Sequence, residues 1–329
     1  MASVAGSRPL RLTLYQTTTA SLRNALLGSL GMHFPRSCFL LRVAVPAMLA
    51  LICAPLQART ILFVGNSFTF GAGSPVRKYH PDIVNDLNAD RIGGVPALFK
   101  LFATEAGLDW TVSLETSPGK DLAFHYAQKQ RQLAGAWDVV VLQGYSTLDA
   151  VRPGDATEHV RMAGLLAAMF KRANPKAQIE IESTWSRADQ VYPATGHWHG
   201  KPVAVMAEDL ARANVLAMRA SRNIAGAIPV GAAWNRAMRE GVADPNPYDG
   251  IDYGKIDLWT WDHYHASTAG YYLAALVIFG SITKVDPRTL GRAEIAGDEL
   301  GLDPKLVAQL QQVAAEELAR AGQSDQSVR

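Results

Sequence analysis

A serine hydroxyl becomes a nucleophile when a base takes its proton, and an imidazole serves as that base best when a carboxylate fixes its tautomer. This chain holds all three groups, far apart in sequence. Ser67 closes the run "ILFVGNS", in which four apolar residues meet a glycine and an asparagine. Asp262 and His265 stand three apart in "WDHYHAS", just before a long apolar stretch. Acting together they would transfer an acyl group through a covalent serine ester. Each residue also has a plainer reading. Asn66 and Ser67 are ordinary helix N-caps, Asp262 could close a turn, and His265 could be structural. His263 and Asp257 are the rival base and acid. Trp259 and Trp261 read as packing residues rather than sugar platforms. The "HWHG" run with His197 and His199 brings no cysteine or carboxylate partner, so no metal or other cofactor is expected.

The elements that would position these groups alternate. Apolar runs at Ile61–Val64, Trp110–Leu114, Val139–Leu142, Gln178–Ile181 and Ala227–Val230 read as strands, the third as one buried on both faces. Helical spacing occupies Pro96–Ala106, Thr157–Arg172, Ala207–Ala220 and Ser267–Ile282. The alternation predicts an α/β fold, a doubly wound parallel sheet with right-handed crossovers. In such sheets the ligand crevice lies beyond the carboxyl ends of the strands. Ser67, Gly119, Gln143 to Ser146 and Thr184 all fall there. The stretch from Arg187 to Pro202 reads as a long loop of the kind that often carries function.

With these residues in hand, the chain resembles the SGNH (GDSL-type) hydrolase superfamily. The likeness rests on "GNSFT" after the first strand and an Asp-x-x-His block near the end, and it spans Thr60 to about Ile282. "ILFVGNSFTFG" and "VVLQGYS" are most similar to the bacterial subgroup with Asn where the name motif has Asp. The resemblance implies a flavodoxin-like three-layer α/β/α sandwich and hydrolysis of esters on acylated sugars, lipids or small acyl compounds. It also implies Ser67 as nucleophile, Asp262 as orienting acid, His265 as base, and Gly119 in "TSPGKDLAFH" as an oxyanion donor. The third block departs from the pattern. Where the family has Gly-x-Asn-Asp, this chain reads Gln143-Gly144-Tyr145-Ser146-Thr147. Aligning the glycines puts Ser146 at the asparagine's place, but the Gln143 amide is the stronger, orientable donor and takes the assignment.

The first 58 residues read differently from the rest. Arg36 and Arg42 precede an apolar run ending in "CAPLQA", the pattern of a secretory signal peptide. Such leaders span ~15–30 residues, so translation from Met32 is the expected start. Both cysteines, Cys38 and Cys53, fall inside it, leaving no thiol in the mature chain. Residues 59–321 are expected as one domain, and 322–329 as a disordered tail. A net charge of +2 over 329 residues gives no field suited to nucleic acid. The expectation is a secreted or periplasmic serine esterase acting on an acetyl or other short acyl group, with no stable membrane insertion after cleavage. The alternative is a catalytically impaired module that binds acylated glycans.

Overall fold

The computed structural model describes residues 58–328, so the leader expected over 1–58 lies, but for Ala58, outside the described residues. Six strands form one parallel sheet: β1 (Arg59–Gly65), β2 (Asn85–Asp86), β3 (Trp110–Thr116), β4 (Val139–Gln143), β5 (Gln178–Glu182) and β6 (Gly226–Ile228). Their order is β2-β3-β1-β4-β5-β6. The chain leaves β1 toward one edge and returns to build the other from β4. That reversal makes the gap beyond β1 and β4 the topological switch point, where open α/β sheets bind ligands.

Alternation along β1 shows why both faces must be covered. Ile61 and Phe63 join one apolar cluster, with Val139 and Val141. Leu62 and Val64 join another, with Val140, Leu142, Ile179 and Ile181. The first face is covered by α1 (Gly94–Glu105), α5 (Val230–Arg239), α6 (Thr268–Thr283) and α7 (Pro304–Val328). The second is covered by α2 (Leu122–Gln128) and α3 (Thr157–Ala173), joined by Ala217 of α4 (Ala204–Ala220). The result is a three-layer α/β/α sandwich with a doubly wound parallel sheet. Helix α6 is apolar around its whole circumference because it is wrapped by neighbours. Among the described residues no helix is long and apolar enough to cross a membrane.

Four details depart from the sequence reading. β2 is a two-residue edge strand, too short to leave a hydrophobic signature. The strand expected over Ala227–Val230 ends at Ile228, because Pro229 turns the chain and Val230 opens α5. The last helix continues to Val328, through most of the segment expected as a tail, since nothing after Gly322 breaks it. Trp259 is buried as expected, but Trp261, on the turn beside Asp262, is 85% exposed.

Candidate active site

The turn that carries Ser67 is built from the end of β1 outward. Asn66 caps the short helical turn Ser67–Phe70, its side-chain oxygen accepting from Phe68 N–H at 3.2 Å. The capping duty that Ser67 was equally suited to thus falls on its neighbour. The Ser67 hydroxyl has no hydrogen-bond partner among the described residues, and the residue is 6% exposed. The Asn66 amide donates to Lys120 O at 2.9 Å and Gly144 O at 3.3 Å, tying the turn to the loops after β3 and β4. Gly65 permits this closeness, since a Cβ there would lie 2.2 Å from Thr69 Oγ1 and 2.7 Å from Gln143 Oε1.

The second half comes from the segment before α6. The Asp262 carboxylate accepts the N–H groups of Tyr264 at 2.9 Å and His265 at 2.8 Å through one oxygen, folding the chain back on itself. His263 takes a left-handed φ of 55° to complete that turn. The other carboxylate oxygen lies 2.6 Å from His265 Nδ1. Burial alone would raise the Asp262 pKa, but the bonds from the His265 ring and the two backbone N–H groups outweigh it and hold it below the usual value. The acid is therefore an ionised acceptor, which fixes Nδ1 as the protonated nitrogen. His265 Nε2 is buried and has no partner. The rival residues are occupied otherwise. Asp257 accepts from Trp259 N–H and its carbonyl from Ser267 Oγ, both at 2.8 Å. His263 packs on Tyr248 at 4.3 Å and makes no hydrogen bond to a carboxylate among the described residues.

The two halves meet. The Phe68 ring, one residue past Ser67, lies 5.9 Å from the His265 ring and stacks on Trp185 at 4.3 Å. From the first turn of α6, the Tyr271 hydroxyl reaches Ser67 O at 3.2 Å and Ala72 O at 3.0 Å.

Donors for a developing oxyanion lie on neighbouring loops. Gly119 sits after β3 at φ 65°, with no atom within 4 Å of where a Cβ would be. Its N–H and that of Ser67 bond to no described residue. Gln143, at the end of β4, turns its oxygen to Asn66 N–H at 2.8 Å and to Thr69 Oγ1 at 3.1 Å. Its NH₂ group bonds Gly144 O, leaving one amide hydrogen uncommitted. Ser146 lies beyond it, its hydroxyl accepting from Arg187 Nη1 at 3.2 Å.

Sequence reasoning passed over several groups around this site. Arg187, Tyr264 and Tyr271 all touch its frame, yet each looks ordinary in the sequence. Glu182, paired in register with Gln143, is buried without a side-chain hydrogen-bond partner among the described residues, and burial pushes its carboxyl up to about 8. A polar residue at every second place of "QIEIE" was the available signal. As for metals, no group of three or more His, Cys, Asp or Glu side chains among the described residues is arranged to hold an ion. His199 Nδ1 bonds Tyr192 O instead.

No protein-family model and no curated protein matches the chain. Solved structures do. A DUF4886 family protein from Bacteroides uniformis aligns over 79% of this chain and 95% of its own at 17% identity, with a TM-score of 0.55. A GDSL-like lipase from Parabacteroides merdae aligns over 69% and 96%, at 17% identity and a TM-score of 0.49. An aryl esterase from M. smegmatis aligns over 69% and 99%, at 12% identity and 0.45. At these identities the likeness is one of fold, the parallel sheet between two helical layers described above.

Proposed function

We propose that this chain is a serine esterase, with Ser67 as nucleophile, His265 as base and Asp262 as its orienting acid. One observation carries the reading: an imidazole held by a carboxylate at 2.6 Å keeps its other nitrogen bare, beside a turn whose serine hydroxyl is equally bare. In the reaction, Ser67 Oγ bonds the ester carbonyl carbon while His265 Nε2 takes the hydroxyl proton. The carbonyl oxygen becomes an oxyanion, held by the N–H groups of Ser67 and Gly119 and by the free amide hydrogen of Gln143. Collapse breaks the bond to the alcohol, which leaves with the proton from the imidazolium. Water then repeats the cycle on the acyl-serine and releases the acid. No step calls for a metal or other cofactor.

The substrate we favour is an acetyl or other short acyl ester on a carbohydrate, met in the periplasm or outside the cell. The leader-like N-terminus supports the compartment. The exposed Trp261 and the half-exposed Tyr248, both beside the Asp262–His265 turn, support a sugar ring at the rim.

Hydrolysis of p-nitrophenyl acetate by the wild type and by Ser67→Ala tests the reading. Loss of nearly all turnover in the variant is the expected result. Equal rates would remove Ser67 from the chemistry and leave a module that binds acylated glycans.

A further inference from the structure

A histidine pinned at one nitrogen still has freedom. The Asp262 bond fixes where His265 Nδ1 lies, but the ring can tilt about that bond, and a tilt moves Nε2 away from the nucleophile. Something must set the plane of the ring. The Tyr264 ring stacks on the imidazole at 4.0 Å, with 29° between the planes. The Arg187 guanidinium in turn lies 3.6 Å from the centroid of the Tyr264 ring. Three further bonds hold the guanidinium still: Nε and Nη2 grip Asp189 at 3.0 and 2.6 Å, and Nη1 reaches Ser146 Oγ at 3.2 Å.

The segment after β5 also grips the backbone of the same turn. Trp185 Nε1 donates to Tyr264 O at 3.2 Å, and Asp189 N–H donates to His263 O at 3.1 Å. Arg187 is only 12% exposed at its side chain, and its charge is matched by Asp189. That leaves it ill placed to serve as an open anion-binding group. Planar stacking with three directed hydrogen bonds is what a guanidinium supplies and an ammonium does not.

We propose that Arg187 is a positioning residue: through Tyr264 it sets the plane of the His265 ring, so that Nε2 faces the Ser67 turn. This inference rests on the reading of Ser67 and His265 as nucleophile and base. Misplacing a catalytic group by about 1 Å costs up to about a hundredfold in rate. Arg187→Met should therefore lower kcat about tenfold to a hundredfold with KM nearly unchanged. Arg187→Lys should recover little of it, because the charge returns without the plane. Tyr264→Phe should retain activity, and Tyr264→Leu should behave like Arg187→Met. The double variant Arg187→Met/Tyr264→Leu should be no worse than either single one, since both break one stack.

Inactivation by an organophosphonate ester, with the labelled residue identified, separates the two readings. If the wild type is not labelled at Ser67, the esterase reading fails and this inference falls with it. If the wild type is labelled and Arg187→Met is labelled at the same rate, only the inference is overturned. Full rescue by Lys, or a rise in KM at constant kcat, also overturns it. Should Arg187→Met fail to fold, Tyr264→Leu decides, because it leaves the Arg187–Asp189 bridge whole.

Discussion

Three histidine–carboxylate pairs occur among the described residues; beside the surface pair His80–Glu299, two have the same chemistry and opposite surroundings. His265 and Asp262 lie at the crevice, their side chains 16% and 20% exposed. His125 and Glu115 lie beneath the loop after β3, both 0% exposed, with His125 Nδ1 on Glu115 Oε2. In each of these two the other imidazole nitrogen has no partner. Glu115 also accepts from Asn88 and Ser117, each at 3.2 Å, and faces Lys129 at 3.4 Å. Burial alone would raise its pKa, but the bond from His125, the charges of His125 and Lys129, and the bond from Asn88 hold it low. A base and an acid in contact are thus no active site in themselves. The inner pair is closed off and clamps the strand that leads to Gly119, whereas the outer pair keeps one nitrogen bare, its imidazole 5.9 Å from the ring of Phe68 in the serine turn.

That contrast breaks or stands on four measurements. The largest effect belongs to His265→Ala, which should cut esterase turnover on the order of 10⁴-fold or more while the melting temperature holds. Retained turnover would strip the outer pair of its role. His125→Ala should do the reverse. It leaves a buried carboxylate with only Lys129 and neutral donors, at a cost of about 3 kcal/mol in stability, read by denaturant unfolding. Near-wild-type stability would mean that the inner pair holds nothing.

Glu182 sharpens the comparison as a buried acid with no base beside it. Its unfolded value is 4.5 and its folded value about 8, so between these the native state keeps a proton that the unfolded chain has lost. Stability from this group is therefore greatest below about pH 4.5 and falls as pH rises through 8. Glu182→Gln should flatten that slope, seen as a melting temperature that gains on the wild type from pH 5 toward pH 8 by about one to several degrees. Identical slopes would place a compensating charge beside Glu182. Trp261→Ala should have the smallest effect on the fold, within about 0.5 kcal/mol. Its expected signature is a raised KM for an acetylated oligosaccharide with unchanged kinetics on a small aliphatic acetate. Equal KM values would remove the sugar platform from the outer rim.

The outer pair was legible in the sequence because its members are three residues apart and sit before a conspicuous apolar helix. Ser67 stands out in the sequence because an apolar run ends just ahead of it. The inner pair was not, since Glu115 and His125 are separated by a turn and lie on different elements, so no periodicity joins them. Arg187 was hidden for a like reason. Asp189 is two residues on in the same segment, but Ser146 and Tyr264 come from other loops that only the sheet order brings beside it. The core strands were clear from their unbroken apolar runs, while β2 and α5 were lost to shortness and to an abrupt strand-to-helix turn at Pro229. Trp261 was misjudged because its side chain follows the geometry of a turn, which hydrophobicity does not encode.

The central place of β1 in the sheet has a kinetic consequence. β1 is made first, yet its two hydrogen-bonded neighbours, β3 and β4, follow at Trp110–Thr116 and Val139–Gln143. The bond from Tyr271 that steadies the serine turn spans 204 residues. Closing such distant contacts is slow, because the entropy of loop closure is lost before the contacts reward it. A growing chain therefore carries β1 unpaired until β3 and β4 have been made, and the serine turn lacks its bond from Tyr271 until α6 exists. A chain truncated ahead of Tyr271 would lose most of α6 and leave bare the apolar face that α6 covers, making it a substrate for chaperones and proteases.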